Sequence, residues 1–390
     1  LDHGHLTMDF GQSQSPIYPP KPWRRRVTNH QFTRHSLFIR HSFNGGGGEG
    51  GSPTTIIICA RNEAENLRRF LPAILAQQFD GQWELLVVDD ASDDATPEVL
   101  RGFLEKNSDC MRVLRMVEKT SPGKKHALTQ GIEAAKFDQI LLTDADCEPA
   151  SAYWLAHMSA MLTARPETEM VLGYGPMSVG VKVHRSPCIV HNFSRYETAS
   201  VAVQYFSFAL AGMPYMGVGR NLAFKREVFT RAGGFSAHAH IPSGDDDLLV
   251  NAVANARNTA ICLDPDSFVY SKAPDNWSAW LRQKQRHLAA GPYYQWQHKL
   301  VLGLLALSHT GFYMLFIVLI WAGIAPEIIL GVFLLRLLSI LFVFGKMLRV
   351  LREPDLFWRI PVYDALLAVY YGAIVPWLLI RKRSVEWRRG

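Results

Sequence analysis

The apolar positions of this chain change their spacing twice. Between residues 54 and 143, β-branched and aliphatic runs alternate with stretches of helical spacing. Thr54-Thr55-Ile56-Ile57-Ile58-Cys59-Ala60 reads as a strand. Residues 62–78 repeat Leu67, Phe70, Leu71, Ile74 and Leu75 on one helical face. Trp83-Glu84-Leu85-Leu86-Val87-Val88 predicts a second strand, 93–104 a second helix, 111–117 a third strand, 124–135 a third helix and 139–143 a fourth strand. This alternation predicts βαβ units, an α/β domain with a mostly parallel sheet and helices on both faces.

After Gly291 the pattern turns continuously apolar. Residues 300–323 contain no Asp, Glu, Lys or Arg, enough to cross a hydrocarbon core at about 1.5 Å per residue. Residues 327–345 form a second span broken by Arg336, which should face protein or snorkel. The turn Ala325-Pro326-Glu327 makes the two a hairpin. Residues 360–380 are a third candidate, with Asp364 and Pro376 inside. Residues 274–297 mix aromatics with Arg, Lys and His, as an amphipathic segment at the membrane interface does. The expected plan is a flexible basic arm over 1–52, a catalytic domain over 53–273, the interface segment over 274–297, transmembrane helices over 298–380 and a basic tail over 381–390. The competing reading of the apolar stretches is three buried helices of a soluble core.

Composition narrows the partners. The net charge is +6, much of it in Arg24-Arg25-Arg26 and in Arg381-Lys382-Arg383 with Arg388-Arg389. No basic stripe with interleaved aromatics runs through the middle, so nucleic acid is not an expected partner. Cys59, Cys110, Cys147, Cys188 and Cys262 are odd in number and lack metal-ligand spacing, which fits a reducing compartment. Between Asp9 and Glu49 the chain has no acid, and it carries Gly45-Gly46-Gly47-Gly48, a linker composition.

In open α/β sheets ligands sit beyond the carboxyl ends of the strands. Three polar loops follow the apolar strands: Ala60-Arg61-Asn62-Glu63, Asp89-Asp90-Ala91-Ser92 and Asp144-Ala145-Asp146. They should line one crevice. Asp144 and Asp146 suit a hard divalent cation, Mg²⁺ or Mn²⁺, which takes one or two carboxylates and fills its shell with water and phosphate oxygens. The plain alternative is a strand end with two solvated aspartates. Pro122-Gly123-Lys124-Lys125 opens a helix where free amides and a lysine can face an anion. No Gly-x-Gly-x-x-Gly or P-loop pattern follows any strand, so dinucleotide binding has no support.

In chain order these loops are joined by Gly219-Arg220-Asn221-Leu222-Ala223, Gly233-Gly234-Phe235, Gly244-Asp245-Asp246-Asp247-Leu248 and Gln283-Lys284-Gln285-Arg286-His287. The set resembles the membrane-bound family 2 glycosyltransferases, the group that includes cellulose and hyaluronan synthases. The resemblance covers about residues 54–290. It implies a GT-A (Rossmann-like) nucleotide-sugar-binding domain and inverting transfer of a hexose from a UDP- or GDP-linked donor to a lipid or glycan acceptor. On that pattern Arg61, Asn62 and Glu63 would line the donor site and Asp89 and Asp90 would hold the nucleoside. Lys124 would lie near the nucleotide, Asp144 and Asp146 would hold the metal, and Arg220 and Asn221 would contact substrate. Asp245 would be the catalytic base, with Asp247 the other candidate. Gln283, Arg286 and His287 would close over the acceptor. Two positions depart from the pattern: Gly244 replaces a usual Glu, and His287 replaces the Trp of processive enzymes, favouring single transfer.

Each assignment has a plainer competitor. The triple Asp also suits a helix N-terminus, Gln283 and Arg286 an exposed helix face, and Lys124 a solvated helix start. Cys147 and His309 read as packing residues. The competing functions are a nucleotidyltransferase of GT-A-like fold and an inactive scaffold or subunit of a polysaccharide synthase. Nucleotide sugars are cytosolic, so the expected location is a multi-pass protein of the bacterial inner membrane with its catalytic domain in the cytosol. The positive-inside rule then suits Lys346, Arg349 and Arg352. It conflicts with Arg381-Lys382-Arg383 if the third segment crosses fully.

Overall fold

The computed structural model describes residues 51–118, 123–178, 188–241 and 243–380. The expected arm up to residue 50, Pro122 and the basic tail lie outside the described residues. The first half runs β1 (Thr54–Ala60), α1 (Ala64–Leu75), β2 (Trp83–Asp89), α2 (Thr96–Leu104), β3 (Met111–Arg115), α3 (Lys125–Ala134) and β4 (Gln139–Asp144). Then come β5 (Cys147–Pro149), α4 (Trp154–Thr163), β6 (Met170–Leu172), β7 (Met177–Ser178) and α5 (Ile189–Leu210). The domain closes with β8 (Leu222–Lys225), α6 (Arg226–Arg231), α7 (Asp247–Val253), β9 (Thr259–Ile261), β10 (Val269–Lys272) and α8 (Trp277–Leu288). Three long apolar helices follow: α9 (Trp296–Trp321), α10 (Pro326–Val350), and a composite third segment holding α11 (Ile360–Val369) and α12 (Val375–Ile380).

The seven-stranded sheet has the order β3-β2-β1-β4-β8-β6-β9, and β5-β10-β7 form a smaller one. β1, β2, β3 and β4 pair in parallel, as the alternating pattern predicts. β8 runs antiparallel to both β4 and β6 within a sheet that is mostly parallel, as expected. At four residues, β8 is too short to reveal its direction in the sequence. Register aligns the carboxyl ends: Ala60 pairs with Asp89, and Cys59 with Asp144. The order turns back between β1 and β4, the switch point where such sheets open a crevice.

Two helix starts differ from the periodicity for local reasons. α1 begins at Ala64, since Asn62 takes a left-handed φ of 56°. α2 begins at Thr96 because Asp94 is spent in the preceding loop, where it accepts from the Thr96 and Ala64 N–H groups at 2.8 and 3.3 Å. The third apolar segment runs Pro354–Ile380, earlier than expected, and contains a π-helical stretch at Tyr370–Ile374. Pro376 lies just after it. A proline offers no N–H and crowds the carbonyl four residues back, and the wider π turn relieves both.

The α/β domain and the apolar helices share one core. On one sheet face Ile57, Val88 and Leu142 pack with Leu128 and Ile132, and the same cluster continues through Phe193 and Tyr196 of α5 to Leu348, Leu356 and Tyr363. The other face packs Ile56, Ile58, Val87 and Leu141 against Leu67, Leu71 and Trp154. The 274–297 segment differs from a free interface helix: α8 buries Trp280 and Lys284, with Trp280 against Tyr370 of the third segment. Trp277 and Trp296 remain exposed. In the N-terminal part of α5, fully buried Arg195 binds Glu353 and Asp355, in the turn leading out of α10. Burial pushes the Glu353 carboxyl up to about 7 against the pull of Arg195.

Removing one partner of a buried pair leaves a charge without compensation, at a cost of about 3–5 kcal/mol. Arg195→Met should therefore lower stability by about that much, read as the thermal or denaturant midpoint of the detergent-solubilised chain. The loss should be greater at pH 8.5 than at pH 6, since a stranded Glu353 escapes the penalty by taking a proton. A loss independent of pH would place the damage in packing.

Candidate active site

Asp144 is the last residue of β4, and Asp146 stands in the two-residue turn that leads to β5. The tight turn brings the ligand atoms of Asp144, Asp146 and Cys147 within 4.8 Å of one another. Burial and the two neighbouring carboxylates push the Cys147 thiol well up, so it stays protonated and leaves an oxygen pair. That donor set fits Mg²⁺ or Mn²⁺ rather than a thiophilic metal.

Lys124, at the entrance to α3, binds this pair to a second acidic element. Its Nζ lies 2.9 Å from Asp144 Oδ1 and 3.1 Å from Asp245 Oδ2. Burial alone would depress the ammonium; Asp144, Asp245 and Asp246 together raise it well above its ordinary value. The adjacent Lys125 points elsewhere. Its buried Nζ donates to the carbonyls of His238 and Ile241, at 2.6 and 2.9 Å, and pins that loop.

The three consecutive aspartates are unequal. Asp246 caps α7: it accepts from the Asp247 N–H at 2.9 Å and from the Gly219 N–H at 2.5 Å. Asp247 Oδ2 accepts from the Tyr294 hydroxyl at 2.9 Å. Asp245 precedes the helix, and its buried Oδ2 accepts no hydrogen bond from a described residue and faces only the Lys124 ion pair. Burial first, then like charge, push Asp246 up to about 6 and Asp247 well above the usual carboxylate range. Gly244 sits at φ 77°, where a Cβ would stand 2.9 Å from Ala290 Cβ. The close approach of α8's end to this turn requires the glycine.

The β1 and β2 loops are stitched together. The Asn62 N–H donates to Ser92 Oγ, and Asn62 Oδ1 accepts from the Asp93 N–H, both at 3.0 Å. Asn62 and Glu63 line the cavity above the strand ends, with Lys124, Asp144, Asp146 and Asp245. Arg61, Asp89 and Asp90 are not on its described wall, which corrects the expectation of three loops lining one crevice. Asp89 and Asp90 are buried behind the loops, with Asp89 Oδ1 accepting from the Ser92 N–H at 3.0 Å. Asn221 is a second correction. It is fully buried, donates to the carbonyls of Tyr174 and Ser267 at 2.8 Å, and accepts from Trp154 Nε1 at 2.9 Å. Its amide ties α4 to the sheet and is not offered to a substrate.

Arg220 does line the cavity; one guanidinium nitrogen donates to the Gly175 carbonyl, while its Nε has no described partner. Gln283, Arg286 and His287 line it from α8. At the exposed mouth of the crevice, loss of hydration and the cations Lys284, Arg286 and Arg220 push the His287 imidazole below its ordinary value. Three contributors escaped sequence reasoning: Tyr294, which holds Asp247, and the buried pair Lys284–Glu197, which braces α8 on α5. A lysine within the Gln283–His287 motif was their only signal.

Comparison with known proteins places this geometry. The chain belongs to glycosyl transferase family group 2, whose model matches residues 140–350, and the glycosyl transferase family 2 model matches residues 55–213. It is similar to the probable glycosyltransferase YdaM of Bacillus subtilis, 25% identical over 249 residues, covering 61% of this chain and 55% of that one. It is also 34% identical over 96 residues to the glycosyltransferase AglE of Haloferax volcanii, covering 24% of this chain and 31% of AglE. The chain thus spans about half the length of YdaM and less of AglE. Among solved structures, the mannosyltransferase PcManGT of Pyrobaculum calidifontis, in complex with GDP-Man and Mn²⁺, superposes with a TM-score of 0.51 at 21% identity, covering 82% of this chain and 87% of that chain. The domain has the GT-A fold.

The capping role of Asp246 carries a pH signature. Its folded pKa is raised, so its favourable protonation is complete below the unfolded value and is lost as pH rises to about 6. Asp246→Asn removes that titration. Between pH 4 and pH 7 the melting temperature of the variant should rise relative to that of the parent chain, with the change concentrated between about pH 4 and pH 6. A constant difference across that range would contradict the assignment.

Proposed function

We propose that this chain is an inverting, metal-assisted hexosyltransferase that moves a sugar from a UDP- or GDP-linked donor to a membrane-associated lipid or glycan. The observation that supports this best is a single cavity. It holds Asp144, Asp146, Lys124 and Asp245 and reaches helices α9 and α10. At about 2230 Å³ it exceeds the usual 300–1,000 Å³ of a small-molecule site, leaving room for an acceptor beside a donor. Three helices, Trp296–Trp321, Pro326–Val350 and Pro354–Ile380, are long and apolar enough to cross a membrane. In this reading they anchor a cytosolic catalytic domain. A nucleotidyltransferase has no observation in its favour, and a dead scaffold has no use for a buried Asp245 carboxylate whose Oδ2 meets only the Lys124 ion pair among the described residues.

Asp144 and Asp146 would hold Mg²⁺ or Mn²⁺. When bound, the ion supplies Lewis-acid neutralisation of charge on the leaving diphosphate. Lys124, held between Asp144 and Asp245, adds a fixed positive charge beside the same group. Asp245 accepts the proton of the acceptor hydroxyl as the new bond forms at the anomeric carbon and the bond to phosphate breaks on the opposite face. Asp246 and Asp247 position it, one through the α7 cap and the other through Tyr294. Arg286, beside His287, closes the acceptor side.

Asp146→Ala should abolish release of nucleoside diphosphate without changing elution or melting, and excess chelator should do the same to the parent chain; full turnover in chelator sinks the metal-assisted reading. The series Asp245→Asn, Asp246→Asn and Asp247→Asn should be uneven. Loss of the base should cost kcat about 10²–10⁴-fold at Asp245 with donor affinity nearly unchanged. If that loss falls on Asp247 instead, the base is misassigned. Arg286→Ala should slow transfer to acceptor more than hydrolysis of donor to water, and an equal fall in both places Arg286 with the nucleotide.

A further inference from the structure

Inside the apolar helices charge is matched: Arg336 of α10 donates to Asp364 of α11 at 2.7 Å. At the end of the bundle nearest the α/β domain it is not. Lys346, Arg349 and Arg352 are exposed and have no ion pair among the described residues. Lys346 meets a ring, with Nζ 4.1 Å from the Phe342 centroid. Lys299, at the matching end of α9, turns inward instead, to the cavity and to the Pro292 carbonyl at 3.2 Å. The two acids of the turn after α10 are spent on α5. Glu353 and Asp355 both bind Arg195, Asp355 through both oxygens at 2.8 and 2.9 Å, and Glu353 is fully buried. The outward surface of this turn is left to its cations.

The turn also folds back on α10. A Cβ at Gly345 would stand 2.7 Å from Phe357 Cε2, so the Phe357 ring lies on that glycine, next in sequence to Lys346. The following residue, Trp358, is 85% exposed. An open indole at the end of an apolar helix belongs at headgroup level, and Trp296, 67% exposed at the start of α9, marks the same end of the bundle.

Arg352 is the residue that the fold alone does not explain. The Glu353 N–H donates to the Leu348 carbonyl at 2.7 Å and the Arg352 N–H to the Arg349 carbonyl at 3.3 Å. Such a helix end needs a left-handed residue, and Arg352 takes φ 60°. Glycine usually fills that position, because a Cβ is strained there. Arg349, in the last turn, already complements the helix dipole. A strained residue kept where glycine would serve the backbone better is a sign of a task for its side chain. Unmatched cations beside an open indole suit a phosphodiester at a membrane surface. A choline headgroup would bring its own cation to a surface with no free carboxylate, whereas a headgroup of net negative charge would not.

We infer that Lys346, Arg349 and Arg352, with Trp358 beside them, form a site for the headgroup of an anionic phospholipid such as phosphatidylglycerol. The site lies on the outer surface of the turn that clamps α5. The lipid is a ligand there and takes no part in sugar transfer. The inference rests on the membrane placement of the three helices in the reading above and on none of its chemistry.

The test is native mass spectrometry of the full chain from detergent micelles carrying equal phosphatidylcholine and phosphatidylglycerol. The parent chain should retain phosphatidylglycerol at least about tenfold over phosphatidylcholine. A basic side chain near anionic headgroups is worth about fivefold in binding, so Arg349→Gln and Arg352→Gly should each lower that preference by about fivefold. Arg352→Gly should at the same time raise the thermal midpoint by about 1–2 °C, because glycine relieves the left-handed strain. A residue serving only the fold would not lose lipid while gaining stability. Equal retention of the two lipids by the parent chain overturns the site, as does an unchanged preference in either variant. A midpoint that does not rise in Arg352→Gly gives the arginine to the helix end and overturns its part in the site. Displacement of the lipid by inorganic phosphate at matched concentration assigns a soluble anion and overturns the lipid. Carbonate extraction from phosphatidylcholine vesicles tests the placement of the helices by itself. Release of the chain sinks that placement and the site with it, whereas retention without a phosphatidylglycerol preference sinks the site alone.

Discussion

One ammonium group makes the crevice possible. Asp144, Asp146, Asp245, Asp246 and Asp247 come from two stretches about a hundred residues apart, and carboxylates gathered in a low-dielectric mouth repel one another by several kcal/mol. Lys124 answers this by lying 2.9 Å from Asp144 and 3.1 Å from Asp245. Its position follows from the backbone: Gly123 takes φ 77°, and α3 starts at the next residue but one. Lys125 meanwhile anchors the loop that leads to the aspartates. The same contacts that hold the fold together thus set the charge of the site.

Burial also joins the site to the bundle. The core that covers one sheet face runs without a break through α5 into the helices, and the Lys284–Glu197 and Arg195–Glu353 pairs tie the N-terminal part of α5 to α8 and to the turn after α10. The strand-end cavity and the apolar helices are therefore parts of one packed body. In the proposed reaction a soluble donor and a membrane-associated acceptor would gain their orientation from that packing.

Much of this was readable from residue order alone, and what was not has identifiable causes. Apolar runs with turn chemistry between them disclosed the parallel half of the sheet, and Asp144-Ala145-Asp146 and the triple aspartate stood out as acids after apolar runs. Asn221 was misplaced because an amide that satisfies buried carbonyls and an amide that binds a sugar are the same residue in a sequence. Asp89 sits at the right strand end but accepts from the Ser92 N–H and so braces its own loop. The pairs that matter to α5 join residues 87 and 158 positions apart, a separation at which no local pattern exists. The start of the third segment was hidden because Pro354–Arg359 forms a 3₁₀ turn outside the helical period.

The central claim is a single displacement at the anomeric carbon, with Asp245 taking the acceptor proton. Its most direct test is the configuration of the product. Proton NMR of the glycoside made from an α-linked nucleotide sugar should show the β anomer. A product that keeps the α configuration would contradict single displacement, and with it the role given to Asp245.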